Sequence, residues 1–261
     1  MRARAVAVAE RSRGATVLRH VRSEPPLLLR VAGGRLLVVG GAAGPLGGDE
    51  LSLSIVVGPG AELEVGSVAA ALALPGPRPS TLDIEVEVGS GARLRWDPAP
   101  LVSVVGSHHR QATRIGVAVD GQVVWRERTV FGRSGQPPGR LEASFRLERG
   151  GEPVLHQELD TGPPLADGSG PRWWRHRAVL DGARALISEL TVGPPAPPAS
   201  RSSGPGWMVA RSPLGPDLAV ASGLGMELGR LERELDAVAP AGPPVPPDQA
   251  NPSYTAVSNA R

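Results

Sequence analysis

An internal repeat limits the folds open to this chain more than any other feature. Residues 51–65 read LSLSIVVGPGAELEV and residues 82–96 read LDIEVEVGSGARLRW, a displacement of 31 positions. Apolar residues alternate with others at Leu51, Leu53, Ile55 and Val57, and again at Leu82, Ile84, Val86 and Val88. A period of two places every second side chain on one face of a strand. A Gly-x-Gly turn follows, at Gly58 and Gly60 or at Gly89 and Gly91, before a second strand resumes with Leu63 and Val65 or Leu94 and Trp96. Glycine adopts positive φ at little steric cost, so each copy predicts a hairpin. A fainter third copy is expected at residues 115–125, where Val117, Val119, the Asp120-Gly121 pair and Val123 continue the same offset.

Each unit can bury its apolar face only by stacking on the next. The expected fold is therefore all-β, a single domain over residues 1–239 built of stacked hairpins, either β-helix-like or sandwich-like. Further strands are predicted at 4–9, 16–22, 27–31, 35–39, 140–148, 153–159 and 207–211. About two helices are predicted late in the chain, at 178–190 and at 218–238, the latter with Leu224, Leu228, Leu231 and Leu235 on one stripe. The Pro/Ser/Gly-rich stretch 193–206 reads as a mobile loop and 240–261 as a flexible tail. With 34 Gly and 28 Pro there is little room for long helices, and aromatic residues at 3% leave the core to Val, Leu, Ile and Ala.

Composition also removes function classes. The chain has no lysine, so all 28 basic residues are arginines, and neither Schiff-base chemistry nor a phosphate-loop lysine is available. A net charge of +2 falls short of the surplus a nucleic-acid binder uses, so no nucleic-acid partner is expected. Without cysteine there is no disulfide, thiolate nucleophile or Cys-ligated metal. Charged residues Glu10, Arg11 and Arg13 interrupt the first segment before any signal-like apolar region, and no run of about 18 apolar residues occurs. A cytoplasmic protein with no membrane association is expected. Nucleophile-elbow, zinc-protease and dinucleotide motifs are missing as well, and the expected protein is not an enzyme.

A few residue pairs have metal- or partner-binding chemistry. His156 and Glu158 are two apart and share one face of a predicted strand. His108 and His109 are adjacent, so on a strand they point to opposite faces, and they are assigned to a polar loop or strand edge. His20 and His176 are isolated. The cluster Arg172-Trp173-Trp174-Arg175-His176-Arg177 has the residue types of protein–protein hot spots, making Trp173, Trp174 and Arg175 the candidate partner contacts. A second reading takes the chain as a β-sandwich module that recognises carbohydrate or protein through Trp125, Trp173 and Trp174.

The block 43–77, opened by Gly47-Gly48-Asp49-Glu50-Leu51, resembles the urease accessory protein UreD (UreH) family, in which a Gly-Gly-Asp turn leads into an alternating strand. A second resembling block, 91–160, holds Leu94-x-Trp96, Trp125, Phe131-Gly132-Arg133, the Gly151–Pro153 turn and Glu158, and a third runs from Trp207 to Arg211. Two departures stand out. Gly66-Ser67-Val68-Ala69-Ala70-Ala71 occupies the place of a Ser/Thr-rich stretch with Lys and aromatics, and Gly135-Gln136-Pro137-Pro138 that of a Gly-Glu-x-Phe signature. The resemblance implies a chaperone scaffold that binds UreF, and through it the GTPase UreG, and docks on apo-urease for nickel insertion. A homodimer within that complex is left open, no cofactor is held permanently, and nickel passes in transit. Asp49 and Glu158 match acidic positions of the family, and together with His156 they are the candidate nickel-path residues.

Overall fold

The structure, a computed structural model, describes residues 1–162 and 180–238. Strands dominate it and fall into two sheets whose inner faces share one core. The first sheet has the order β14 (Glu152–Asp160), β13 (Arg140–Arg149), β11 (His108–Val117), β8 (Ser80–Val88), β5 (Glu50–Val57), β1 (Arg2–Ser12) and β2 (Ala15–Ser23). The second runs β16 (Ser200–Gly204), β17 (Trp207–Gly215), β18 (Leu218–Gly225), β15 (Ala185–Val192), β12 (Gln122–Phe131), β9 (Arg93–Asp97), β6 (Glu62–Ser67), β4 (Arg35–Gly40) and β3 (Leu27–Ala32). Short strands β7 (Ala71–Ala73) and β10 (Leu101–Ser103) pair with each other, and β10 also pairs with β12. The expected all-β fold is present, in its solenoid-like form.

The repeated units are not hairpins. Strands β5 and β6 lie in different sheets, and each pairs in parallel with its counterpart in the next copy: Leu51 with Leu82, Val57 with Val88, Leu63 with Leu94 and Val65 with Trp96. The glycine turns are corners between sheets. Their amides bond to the neighbouring rung, Gly60 N to Ser90 O at 2.9 Å and Gly89 N to Val57 O at 2.8 Å, so the ladder continues around the bend. At the corner Gly60 and Gly91 take φ of +67° and +60°. The third copy is in register at 29 positions instead of 31, with Val86 opposite Ile115 and Trp96 opposite Trp125. Two fewer residues connect it to the second copy, which puts Val119 on the outside of the corner, 70% exposed.

Between the sheets the alternating residues interlock. Small side chains on β1 (Ala3, Ala5, Ala7 and Ala9) lie beside the larger Leu51, Leu53, Ile55 and Val57 of β5, and all are buried. Trp96 and Trp125 stack at 4.4 Å with planes 3° apart. Beyond β12 the second sheet turns antiparallel through β15, β18, β17 and β16.

One predicted helix is corrected here and the other is shortened to residues 228–238. Residues 185–192 form β15, because Ala185, Ile187, Leu190 and Val192 serve a sheet already fixed by β12. Residues 218–225 form β18, and among the described residues the helix is α1 (Leu228–Val238) alone. Leu224 is thus a strand residue packed toward Phe131 and Leu141, while Leu231 and Leu235 bury against Ile187, Val209 and Ala221. Part of the stretch expected to be mobile, 193–206, is strand β16, paired with β17. The tail 240–261 lies outside the described residues.

Ion pairs fix α1 to the second sheet. Arg126, on the outer face of β12, donates to Glu189 of β15 at 2.8 Å and to Asp236 of α1 at 2.7 Å. Arg128 reaches Glu232 and Asp97, both at 2.7 Å. The side chains of Arg126 and Glu189 are 5% and 3% exposed, so removing one partner strands the other charge away from water. Arg126→Ala is expected to cost about 3–5 kcal/mol in urea unfolding, whereas the double change Arg126→Met with Glu189→Leu costs far less. Equal losses in the two variants would show that the pair's charge is not what matters.

Candidate functional site: a cavity between the sheets

The inner faces of the two sheets are apolar along most of their length and become polar at one end. On β11, alternation carries His109, Gln111, Thr113, Ile115 and Val117 inward. The register sets His109 beside Ser80 on one side and Leu141 on the other, and Asp49 takes the next place in that row, its carbonyl accepting from Thr81 N at 2.8 Å. From the second sheet Trp125 and Glu127 of β12 face the same space. There a partly open cavity of about 450 Å³ lies between the sheets. Its walls are largely apolar, including Leu51, Leu82, Ile84, Trp96 and Leu141, and residues 68–72 border it.

Two acceptors stand out among these walls. The Glu127 carboxylate takes Trp125 Nε1–H at 3.0 Å and a Gln111 Nε2–H at 3.2 Å, both on Oε1, so Oε2 receives no hydrogen bond from the described residues. Burial pushes its pKa above the usual carboxylate value, against the opposing effect of those two bonds. His109 is fully buried, with Nδ1 2.9 Å from Ser80 Oγ. In the tautomer in which Nδ1–H donates to Ser80 Oγ, Nε2 carries the lone pair. Nε2 has no partner. Burial first, and the neighbouring His108 second, lower the pKa of His109 from 6.5 to about 4, so the ring is neutral at physiological pH.

The candidate residues read from the sequence are dispersed. Asp49 is buried, Oδ1 holding the Met1 amino group at 2.5 Å and Oδ2 accepting from Leu46 N at 2.9 Å, so one oxygen serves the turn at the start of β5 and the other ties in the first residue. His156 and Glu158 do share a face, at 3.1 Å, but on the edge strand β14 and largely exposed. Three strands separate that edge from β5, a distance of about 19 Å across the sheet. Among the described residues no three His, Cys, Asp or Glu side chains gather in a way that could hold a metal. His108 and His109 point to opposite faces as expected, His108 outward to Glu142 at 2.7 Å. His109, however, sits on an interior strand and not at a polar loop or edge. Trp173, Trp174, Arg175 and His176 lie outside the described residues. Trp125, 2% exposed and stacked on Trp96, has no face to offer a glycan, which removes it from the carbohydrate-module reading. Neither His109 nor Glu127 was a candidate from the sequence, although continued alternation through β11 and β12 marks both as inward-facing.

Two sheets of stacked rungs, a cavity between them with sparse nitrogen and oxygen acceptors, and a helix clamped outside define a β-solenoid-like protein. Among the described residues no helix is long and apolar enough to cross a membrane. The family described as UreD urease accessory protein matches residues 1–224. A urease accessory protein UreD of Parafrankia sp. (strain EAN1pec) is 39% identical over 92% of this chain and 88% of its own length. Similar proteins of the same name occur in Streptomyces avermitilis, 39% identical over 86% of this chain and 90% of theirs, and in Streptomyces coelicolor, 37% identical over 86% and 89%. The chain belongs to the UreD family of urease accessory proteins.

The buried imidazole makes folding pH-dependent. An unfolded histidine binds a proton near pH 6.5 and the folded His109 only near pH 4, so its contribution is complete above 6.5 and is lost as pH falls through that window. Full loss amounts to about 3 kcal/mol. Glu127, with its pKa raised, acts in the opposite sense, gaining relative stability on protonation. The expected result is that the stability difference between the wild type and His109→Asn, measured by urea unfolding, shrinks steadily from pH 7 to pH 4. A difference independent of pH would mean that His109 is not held neutral.

Proposed function

We propose that the chain serves urease maturation as a non-catalytic scaffold in the cytoplasm. It binds UreF and through it UreG, brings this assembly to apo-urease, and gives nickel a route through the cavity between its sheets. Membership in the UreD family is the observation that carries this reading. The cavity chemistry supports the route. An imidazole nitrogen suits Ni²⁺ and a carboxylate oxygen binds it more weakly, while two ligands without a third hold an ion loosely enough to pass it on. His109 Nε2 and Glu127 Oε2 are those two groups. In this reading Asp49 stands at the end of the polar row, and the exposed His156–Glu158 pair offers nickel a first contact on the outer face. Trp173, Trp174 and Arg175 are the proposed contacts for a protein partner.

Co-expression of the chain with UreF, UreG and apo-urease is expected to raise urease nickel content and activity above the level reached without it; equal activation in its absence refutes the scaffold. The pair of changes His109→Ala and Glu127→Gln is expected to lower nickel loading several-fold while co-purification with UreF is retained. Unchanged loading in that variant would move the nickel route elsewhere and leave the scaffold role standing.

A further inference from the structure

The cavity has a second property that does not depend on metal transit. Its volume of about 450 Å³ and its walls of Leu51, Leu82, Ile84 and Trp96 suit the apolar body of a small organic molecule. The acceptors at its polar end are unmatched: His109 Nε2 is fully buried without a partner, and Glu127 Oε2 takes no hydrogen bond from the described residues. A buried acceptor without a donor is costly, and His109 Nε2 is such a group, so a ligand that supplies donors at that end gains more than apolar contact alone provides. The remaining charge at the wall, Arg128, is already paired with Asp97 and Glu232. A cationic head therefore meets no free positive charge from the residues just named.

We propose that this cavity is a binding site for small apolar monocations with N–H donors, of the arylamidine class. The aryl body lies among the apolar walls, one N–H reaches Glu127 Oε2 and a second reaches His109 Nε2. Charge pairing with the Glu127 carboxylate makes the amidinium preferred over a neutral isostere.

The experiment titrates 2-naphthamidine and its neutral isostere 2-naphthamide into the purified full chain, without nickel or partner proteins. The readouts are calorimetry and the fluorescence of the Trp96–Trp125 pair. Saturable one-to-one binding of the amidine is expected, about tenfold or more tighter than the amide. A loss of similar size is expected in Glu127→Gln, and loss of binding in Ala143→Leu, which fills the cavity. No saturable binding, equal affinity for the amide, or undiminished binding in folded Glu127→Gln overturns the proposal. If a variant fails to fold, the wild-type comparison of amidine with amide decides alone. Since no nickel is present, failure here leaves the metal route untouched, and failure of the metal route leaves this site untouched.

Discussion

Parallel pairing between successive copies of the repeat is the constraint on which the rest of this molecule depends. Because each copy bonds to the next and not to itself, like positions fall into rows: Leu51 beside Leu82, Leu63 beside Leu94, Trp96 beside Trp125. A slip of one residue in β11 would turn His109, Gln111, Thr113, Ile115 and Val117 to solvent and bring His108, Arg110 and Arg114 into the core. Register is therefore strongly specified where the rows are apolar. The polar row rides on that specification, and Ser80 and His109 meet because the hydrophobic residues farther along the same strands have no acceptable alternative pairing.

That dependence explains how unpartnered polar groups can persist inside an apolar solenoid. His109 Nε2 and the hydroxyls of Ser103, Ser107 and Thr113 are buried without hydrogen-bond partners, each at a cost in free energy. The apolar rows and the Trp96–Trp125 stack supply the stability that tolerates them. Near the cavity the second sheet is also narrowed to the short strands β7 and β10, so fewer side chains fill the space between sheets. The opening arises from local shortage of packing material, bordered by the small residues Ala69, Ala70 and Ala71.

Much of this was legible in the sequence, and the parts that were not have identifiable physical causes. Period-two alternation revealed the strands and the stacking repeat, since burial of one face leaves that trace in any sheet. It did not separate a hairpin from a corner, because both need glycine at positive φ after an alternating run; the difference lies in which strand accepts the bonds, a long-range fact. Leu224 falls four residues before Leu228, so a helical stripe extended falsely across Gly225 into β18. The third repeat was displaced by two positions because Val117 and Val119 alternate equally well in either register. His109 was read with its neighbour His108 as a local doublet, when its real company is Gln111 and Thr113 along the strand.

The Gly-Gly-Asp block that carries the resemblance has a structural task in this chain. Asp49 closes the turn by accepting from Leu46 N and donating its own amide to Leu46 O, both at 2.9 Å. Gly47 and Gly76 approach so closely that a Cβ on Gly47 would lie 2.5 Å from the Gly76 backbone, a contact no other residue permits. The Gly-Gly-Asp block thus joins the start of β5 to the segment leading into β8 and sets the first parallel pairing of the repeat. A motif that fixes register is easily recognised because backbone geometry leaves no freedom in residue type. The residues that carry the resemblance and those proposed to meet nickel in the cavity therefore stand at different positions, one set fixing register and the other lining the space that register creates.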